Sequence, residues 1–365
     1  MEDKKLNAAA EAVPHEAAAP PKKSVALRIK KKLFSTESFD KWKAWLYLLP
    51  AIILLLVFTV YPIINTVRIA FLEGYTSAAV EGKESFSFGF GNFVQAVKAP
   101  PAVKNLATGE WETQPSEFVK CMKNTFLLCF ITVPLSTLLA LVIAVCLNSI
   151  KFLQKFFQTI FFMPYVTNSI AIGMVFKAMF DIIGFSADGD ISKSTSIGIV
   201  NSVLGVFGID PINWMSPGSS YWSNMTVLII YIVWNALPFK ILILLGGLQS
   251  VNKQYYEAAK IDSTPRLRVF TRITVPLLSP MIAYVVITGF IGGFKEYSSV
   301  IGVFGDPPEA AGGESMNTIV GYVYNCLGRD TPKYGEASAA ALILFGIIFL
   351  VTMVNLYVSN KKTHY

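Results

Sequence analysis

Six long apolar segments, free of charged residues except for Lys240 in the fourth, restrict the fold of this chain more than any other feature. The first lies between Lys43 and Arg68, and the second lies between Lys123 and Lys151. A spanning helix needs about 20 apolar residues to cross roughly 30 Å of hydrocarbon, and one charge at the bilayer centre costs at least about 2.5 kcal/mol. Both segments meet this requirement. The chain is therefore predicted to be an all-α membrane protein.

Composition supports this prediction, because 53% of the 365 residues are hydrophobic and only 15% are charged. Soluble domains carry about 25% charged residues. The predicted spans lie at about 44–71, 119–150, 153–180, 223–249, 273–304 and 337–359. They form one domain, 44–360, with a polar loop at 250–276 and a short tail at 361–365. Six spans place both termini on the same side of the membrane.

The distribution of basic residues predicts which side that is. The tail to Lys43, the segments 151–155 and 250–272, and the C-terminal tail together hold 19 Lys and Arg, against 8 in the longer loops opposite. Basic loops resist translocation, so both termini are predicted to be cytoplasmic. Topology thereby explains the net charge of +7 without a nucleic-acid partner. The Ala/Pro-rich tail 1–43 is expected to be disordered, and the first apolar segment to be retained and not cleaved as a signal peptide.

The sequence lacks the motifs of common catalytic chemistry. It contains no G-x-x-x-x-G-K-S/T phosphate loop and no H-E-x-x-H motif. The two histidines, His15 and His364, lie near the termini, and the four cysteines include no C-x-x-C pair. We therefore expect neither an enzyme nor a metal site, and no cofactor bound by this chain.

The loop 250–276 is too polar to span and too patterned to be a simple linker. It is predicted to form two short helices, one over about Lys253 to Ile261 and one that starts with Thr264 as N-cap and Pro265 as the first helical residue. From physics alone, an amphipathic helix lying on lipid headgroups is the first interpretation.

The same loop resembles a known motif. Its sequence YEAAKIDSTPRLRVFTRITVPLL is similar to the EAA motif of permease subunits of binding-protein-dependent ABC importers, in particular the carbohydrate branch with its maltose-type and multiple-sugar-type members. The matching positions are Glu257, Ala258, Ala259, Asp262, Phe270, Ile273 and Pro276. Ser263 stands where the family usually has glycine, and a positive φ at this position would be strained without glycine.

The resemblance extends over about Leu46 to Ser359. The segments LYLLPAIILLLVFTVYPII, FFQTIFFMPYVTNSIAIGMVF, VWNALPF and GGLQSV occur in the family's order. It implies the type I ABC importer permease fold, with six transmembrane helices and cytoplasmic termini, in the bacterial plasma (inner) membrane. It also implies the partners: a second homologous permease, two ATPase subunits that hold ATP and Mg, and an extracellular solute-binding protein.

The resemblance further assigns roles to individual residues. A coupling helix that docks on the ATPase subunit is implied for Tyr256, Glu257, Ala258, Ala259, Asp262 and Ser263. By similarity to maltose-type permeases and from the polar and aromatic groups in the spans, the substrate path is expected at Asn168, Tyr231, Trp234, Asn235, Phe239, Gly289, Gly292, Gly293 and Glu296.

Plainer interpretations remain open for several of these residues. Tyr231 and Trp234 also suit helix packing, and Gly289 and Gly293 have the spacing of a GxxxG helix contact. Lys240 is expected to extend toward the membrane interface, as lysines near helix ends do, while a contact with substrate stays open as the alternative. Lys295, beside Glu296, is expected either to form a local ion pair or to contact an anionic or hydroxylated substrate.

The predicted function is that of the membrane-spanning subunit of an ATP-driven importer for a sugar or oligosaccharide. A first alternative keeps the importer but changes the cargo to a glycerol-phosphate-type polyol ester. A second alternative is an ion-coupled secondary transporter, which would need an acidic residue inside the spans or inverted repeats. Spans one, two and six have no acidic residue in their apolar cores.

Overall fold

The computed structural model describes residues 36–75, 86–100, 103–104, 111–112, 115–150, 154–182, 198–216, 218–306, 308, 315–328 and 332–362. Most of the predicted tail 1–43 and the end of the tail 361–365 lie outside these residues. The chain divides into two units, Met1–Ile64 and Asn65–Tyr365, and each is considered by itself.

The described residues are mainly helical. In chain order the α-helices are α1 (Thr36–Leu55), α2 (Tyr61–Ala70), α3 (Gly91–Val97), α4 (Glu117–Ser149), α5 (Gln154–Val166), α6 (Ser169–Phe180), α7 (Gly198–Val206), α8 (Tyr221–Ser250), α9 (Gln254–Ile261), α10 (Arg266–Val269), α11 (Val275–Leu277), α12 (Ser279–Phe294), α13 (Ser298–Phe304), α14 (Ile319–Leu327) and α15 (Tyr334–Lys362). Leu56–Val60 and Phe270–Thr274 form π-helical turns. Two short antiparallel pairs join β1 (Leu72–Glu73) to β2 (Ser87–Phe88) and β3 (Val103–Lys104) to β4 (Trp111–Glu112).

Four helical segments in the described part of the chain are long and apolar enough to cross a membrane alone: Trp45–Ala70, Glu117–Ser149, Tyr221–Ser250 and Tyr334–Lys361. They coincide with predicted spans one, two, four and six. Predicted spans three and five are instead bent helix pairs, at 99° between Lys155–Val166 and Ser169–Phe180 and at 69° between Arg266–Leu277 and Ser279–Phe294. Up to six spans result when each pair counts as one, which agrees with the predicted all-α membrane fold.

Helix α1 carries large apolar side chains that are exposed. Trp45, Tyr47, Leu54 and Leu55 are all more than half exposed, and the apolar window of this first span contains no buried residue. A soluble protein would leave no such continuous apolar surface in water. The exposure is what a helix surrounded by lipid requires.

The second unit has its core where α4 and α8 pack along each other, with α12 against both. Buried residues from these three helices include Ala140, Leu244 and Val285, in one apolar cluster. The contact between α4 and α12 is close because Gly293 faces Cys129, whose Sγ atom would lie only 2.8 Å from an added Cβ. The spans meet here at their small residues, as membrane helices commonly do.

The loop 250–276 contains two helices, as predicted, but the second begins differently. Pro265 is the N-cap residue of α10, with φ −63° and ψ 145°, and no side chain caps the helix. Thr264 is therefore not the N-cap, and the prediction was wrong by one residue. The extended ψ of Pro265 keeps it outside the helix, which begins at Arg266.

Candidate functional site

A cavity of about 300 Å³ opens between the spans of the second unit. Helices α4, α5, α8 and α12 supply its walls, together with the residues that follow α12. The lining residues are Thr132, Val133, Ser136, Tyr165, Ile232, Asn235, Ala236, Phe239, Lys240, Val285, Thr288, Gly289, Gly292, Gly293 and Glu296. Six of the nine residues predicted for the substrate path thus line one cavity: Asn235, Phe239, Gly289, Gly292, Gly293 and Glu296.

One wall of the cavity is aromatic. The rings of Tyr165 and Phe239 are stacked, with centroids 5.9 Å apart and planes inclined by 17°. Asn235 lies one helical turn earlier on α8, and its Nδ2 donates to Ser169 Oγ at 3.4 Å. Aromatic faces beside hydrogen-bonding groups are the combination that binds the C–H faces and hydroxyls of a polar organic ligand.

Glu296 supplies the acidic group of the cavity. Its Oε1 accepts from the backbone N–H of Ser299 at 3.1 Å, at the start of α13. Its backbone carbonyl accepts from Thr318 Oγ1 at 2.7 Å. The carboxylate is thus fixed by the N-terminal turn of α13, where the helix dipole favours negative charge.

Lys240 does not extend to the membrane interface, so that expectation was wrong. It is only 5% exposed. Its Nζ donates to Ser136 Oγ at 2.7 Å, Thr137 Oγ1 at 3.0 Å and the carbonyl of Val133 at 3.2 Å. These oxygens hold the ammonium against α4, because they satisfy all three of its N–H groups within the bundle.

Gly289 and Gly293 pack against α4 and also line the cavity. An added Cβ on Gly289 would lie 3.0 Å from Val133 Cγ1 and 3.3 Å from Lys240 Nζ. Gly293 approaches Cys129 in the same way. The two glycines therefore pack α12 on α4 and also line the cavity, while Gly292 has open space around it.

The remaining three predicted path residues do not line the cavity. Tyr231 is fully buried, and its hydroxyl donates to the carbonyl of Ser169. Trp234 packs on Phe176, with ring centroids 5.3 Å apart. Asn168 is the N-cap of α6, and its Oδ1 accepts from the N–H of Ile170 at 2.8 Å. Packing and capping account for these three residues.

Thr132, Ser136, Tyr165 and Thr288 line the cavity but were not predicted from the sequence. Thr132 and Ser136 lie one turn apart in α4, and the hydroxyl of Ser136 donates to the carbonyl of Thr132. Hydroxyls that can bond their own helix backbone are unremarkable in an apolar span. The available signal was their one-turn spacing in a segment with few other polar groups.

The predicted coupling residues lie in and just after α9. Glu257, Ala258 and Asp262 are exposed, whereas Ala259 is 6% exposed. The half-buried Tyr256 places its hydroxyl 3.4 Å from Thr274 Oγ1. The helix therefore has an inner face on the rest of the loop and an outer face that includes Glu257 and Ala258.

Ser263 adopts the left-handed conformation, with φ 51°. It follows the last turn of α9, where its N–H donates to the carbonyl of Lys260 at 3.1 Å and the next N–H, of Thr264, donates to Ala259 at 2.9 Å. This arrangement ends a helix with a residue of positive φ, a position that glycine occupies most easily. The strain predicted from the missing glycine is therefore present in the backbone.

Comparison with known proteins relates this architecture to one family. Residues 136–364 match the family described as binding-protein-dependent transport system inner membrane component. The match includes α8, α9 and α12, and so most of the cavity and all of the predicted coupling residues.

Curated relatives match over most of their length. The lactose transport system permease protein LacF of Rhizobium radiobacter is 28% identical, over 87% of this chain and 94% of the relative. The arabinooligosaccharides transport system permease protein AraP of Bacillus subtilis is 30% identical, over 87% of this chain and 88% of the relative.

A solved structure shares the fold. A chain of the bacterial alginate ABC transporter, in complex with an alginate pentasaccharide-bound periplasmic protein, superposes with a TM-score of 0.63 at 21% identity. The match covers 91% of this chain and 98% of that one. From its sequence, fold and relatives, the chain belongs to the family of binding-protein-dependent transport system inner membrane components.

Proposed function

We propose that this chain forms half of the translocation path of an ATP-driven carbohydrate importer. The observation that carries the proposal is the cavity among the spans, which combines stacked aromatic rings with Asn235, Thr288 and Glu296. The relatives support the cargo class, since two are named for lactose and for arabinooligosaccharides and the structural neighbour for alginate. The three names differ in the sugar, but each of them names a carbohydrate.

The partners follow from the family and from the exposed helix α9. A permease of this kind works with a second permease, two ATPase subunits that bind ATP and Mg, and an extracellular binding protein. The structural neighbour, with its sugar-loaded periplasmic protein, supports the last of these. The exposed face of α9 is the surface proposed for the ATPase subunit.

The orientation of the chain in the plasma membrane follows from the positive-inside distribution. Both termini and the loop with α9 are cytoplasmic, where an ATPase subunit is available. Cargo enters from the external side and leaves after the spans rearrange around the cavity. Closure of the ATPase pair moves α9, and the helix transmits the movement to α8 and to the bent pair that ends in α12.

The rival secondary transporter receives no support from the family, which is named for binding-protein-dependent transport. Glu296 is the acidic residue among those that line the cavity, and its Oε1 accepts from the N–H of Ser299 at the start of α13. That hydrogen bond accounts for the carboxylate without an ion-coupling role. The importer is therefore the better explanation.

Affinity purification of the tagged full chain from its native membranes tests the proposal. We expect an ATPase subunit and a second permease to be recovered together with it, and vanadate-sensitive ATP hydrolysis in the purified material. Recovery of a stable chain alone, without ATP hydrolysis, would contradict the proposed assembly. A tagged six-span protein from the same membranes serves as the control for unspecific recovery.

A further inference from the structure

A buried lysine, Lys240, lies in the wall of the cavity, and no neighbouring carboxylate of the described residues balances its charge. Among the residues that the structure describes, Lys240 has no carboxylate within 4 Å, and the described salt bridge joins Lys333 to Glu336. The three oxygens around Lys240 Nζ are neutral hydroxyls and a carbonyl. A buried charge without a counter-charge is costly, so its retention in a cavity wall needs an explanation.

Lys240 is one of the residues that line the cavity, so a ligand in the cavity lies beside this side chain. Gly289 faces the ammonium, and a single added methyl there would already lie 3.3 Å from Nζ. The hydrogen bond to the Val133 carbonyl is the longest of the three, and that carbonyl also accepts from Thr137 Oγ1 at 2.7 Å. It is therefore the bond that an incoming anionic oxygen replaces most easily.

Glu296, the acidic residue in the lining of the cavity, lies further along the chain than Gly289, which faces Lys240. Glu296 follows Gly289 by seven residues, which corresponds to roughly 10 Å along α12 and its extension. Its Oε1 is bound by the N–H of Ser299. An anion beside Lys240 would thus lie away from the negative charge of Glu296.

From this arrangement we propose that the cavity binds a carbohydrate that carries an anionic group, and that Lys240 contacts the anion. The inference rests on the proposed carbohydrate function and narrows it. Tyr165 and Phe239 face the sugar ring, and Glu296 receives its hydroxyls at the far end. A carboxylate, sulfonate or phosphate on the sugar satisfies the chemistry equally.

Binding measurements on the purified complete importer test this assignment. The probes are methyl glucuronide and its neutral match, methyl glucoside, with glycerol 3-phosphate as an anion that lacks a sugar ring. Titration calorimetry on the wild-type complex is expected to show that the glucuronide binds at least about tenfold more tightly than the glucoside, the value of one charged hydrogen bond. Equal affinities overturn the inference and leave the carbohydrate function standing.

Variants test whether Lys240 is the residue that causes the preference for the charged sugar. Lys240→Met is expected to remove the preference for the charged sugar, and Lys240→Arg to retain it. Lys177→Met, which removes an exposed lysine outside the cavity lining, is the matched control and retains the preference. An unchanged preference in Lys240→Met overturns the role of Lys240.

The probes also separate the two proposals. Binding of glycerol 3-phosphate without either sugar contradicts the carbohydrate function but keeps an anion site at Lys240. Absence of binding by all three probes overturns the inference. If Lys240→Met does not assemble, the wild-type comparison of the two methyl sugars decides by itself.

Discussion

At the scale of the residue, Ser263 has a backbone conformation that is unfavourable for a residue with a Cβ atom. Its φ of 51° lies in the left-handed region. A residue with a Cβ atom pays about 1–2 kcal/mol there, whereas glycine does not. The sequence allowed this strain to be anticipated, because the position is one where related motifs have glycine.

We therefore expect Ser263→Gly to stabilise the folded protein by up to about 1 kcal/mol, since glycine removes the strain but loses more chain entropy on folding. The measurement is the midpoint of thermal unfolding of the detergent-solubilised chain. Ser263→Ala is the matched control, because it keeps the Cβ atom and should give no increase. An equal increase in both variants would show that the serine hydroxyl, and not the backbone, is responsible.

Lys240 marks the limit of sequence reasoning at the same scale. Its position near the end of an apolar span indicated a side chain that reaches the membrane interface, as most lysines near helix ends do. The structure instead buries it against Ser136 and Thr137. Those partners lie on another helix, over 100 residues earlier, so no local pattern contains the information.

At the scale of the element, α9 combines exposure with a fixed attachment. Its inner face is held through Ala259 and Tyr256, whereas Glu257 is exposed. A change at Glu257 therefore alters a surface and leaves the buried contacts in place. The sequence was sufficient to predict this helix, since the motif and the amphipathic pattern coincide.

Charge reversal by Glu257→Lys is expected to uncouple ATP hydrolysis from transport, because the exposed face of α9 is the one proposed to contact the ATPase subunit. Uptake should fall at least about tenfold, the cost of losing one charged contact, while the yield of folded chain stays unchanged. Asp210→Lys reverses another exposed acidic residue outside this loop and serves as control. Uptake at the wild-type level in Glu257→Lys would exclude α9 as the coupling element.

The bent spans were the elements that sequence reasoning described least well. Apolar composition continues through the bend between α5 and α6, so a count of charge-free residues treats that pair as one helix. The local signals were present, with Pro164 near the end of α5 and Asn168 as the N-cap of α6. Hydropathy measures burial in lipid and does not register these caps, which is why the break was missed.

At the scale of the whole molecule, the fold class was predictable because the bilayer permits few solutions. Each backbone polar group needs a partner inside the hydrocarbon, so long apolar segments become helices. The cavity depended instead on contacts between α4, α5, α8 and α12, far apart in sequence. Six of its lining residues could be named only because the family resemblance indicated which stretches face the path.

The most direct test of the central proposal is uptake into proteoliposomes that contain the purified complete importer. With ATP inside and sugar-loaded binding protein outside, we expect accumulation of the carbohydrate that stops when ATP is replaced by a non-hydrolysable analogue. Vesicles that hold the partner subunits without this chain are the control and should accumulate none. Uptake driven by an ion gradient in the absence of ATP would contradict an ATP-driven importer and point to a secondary transporter.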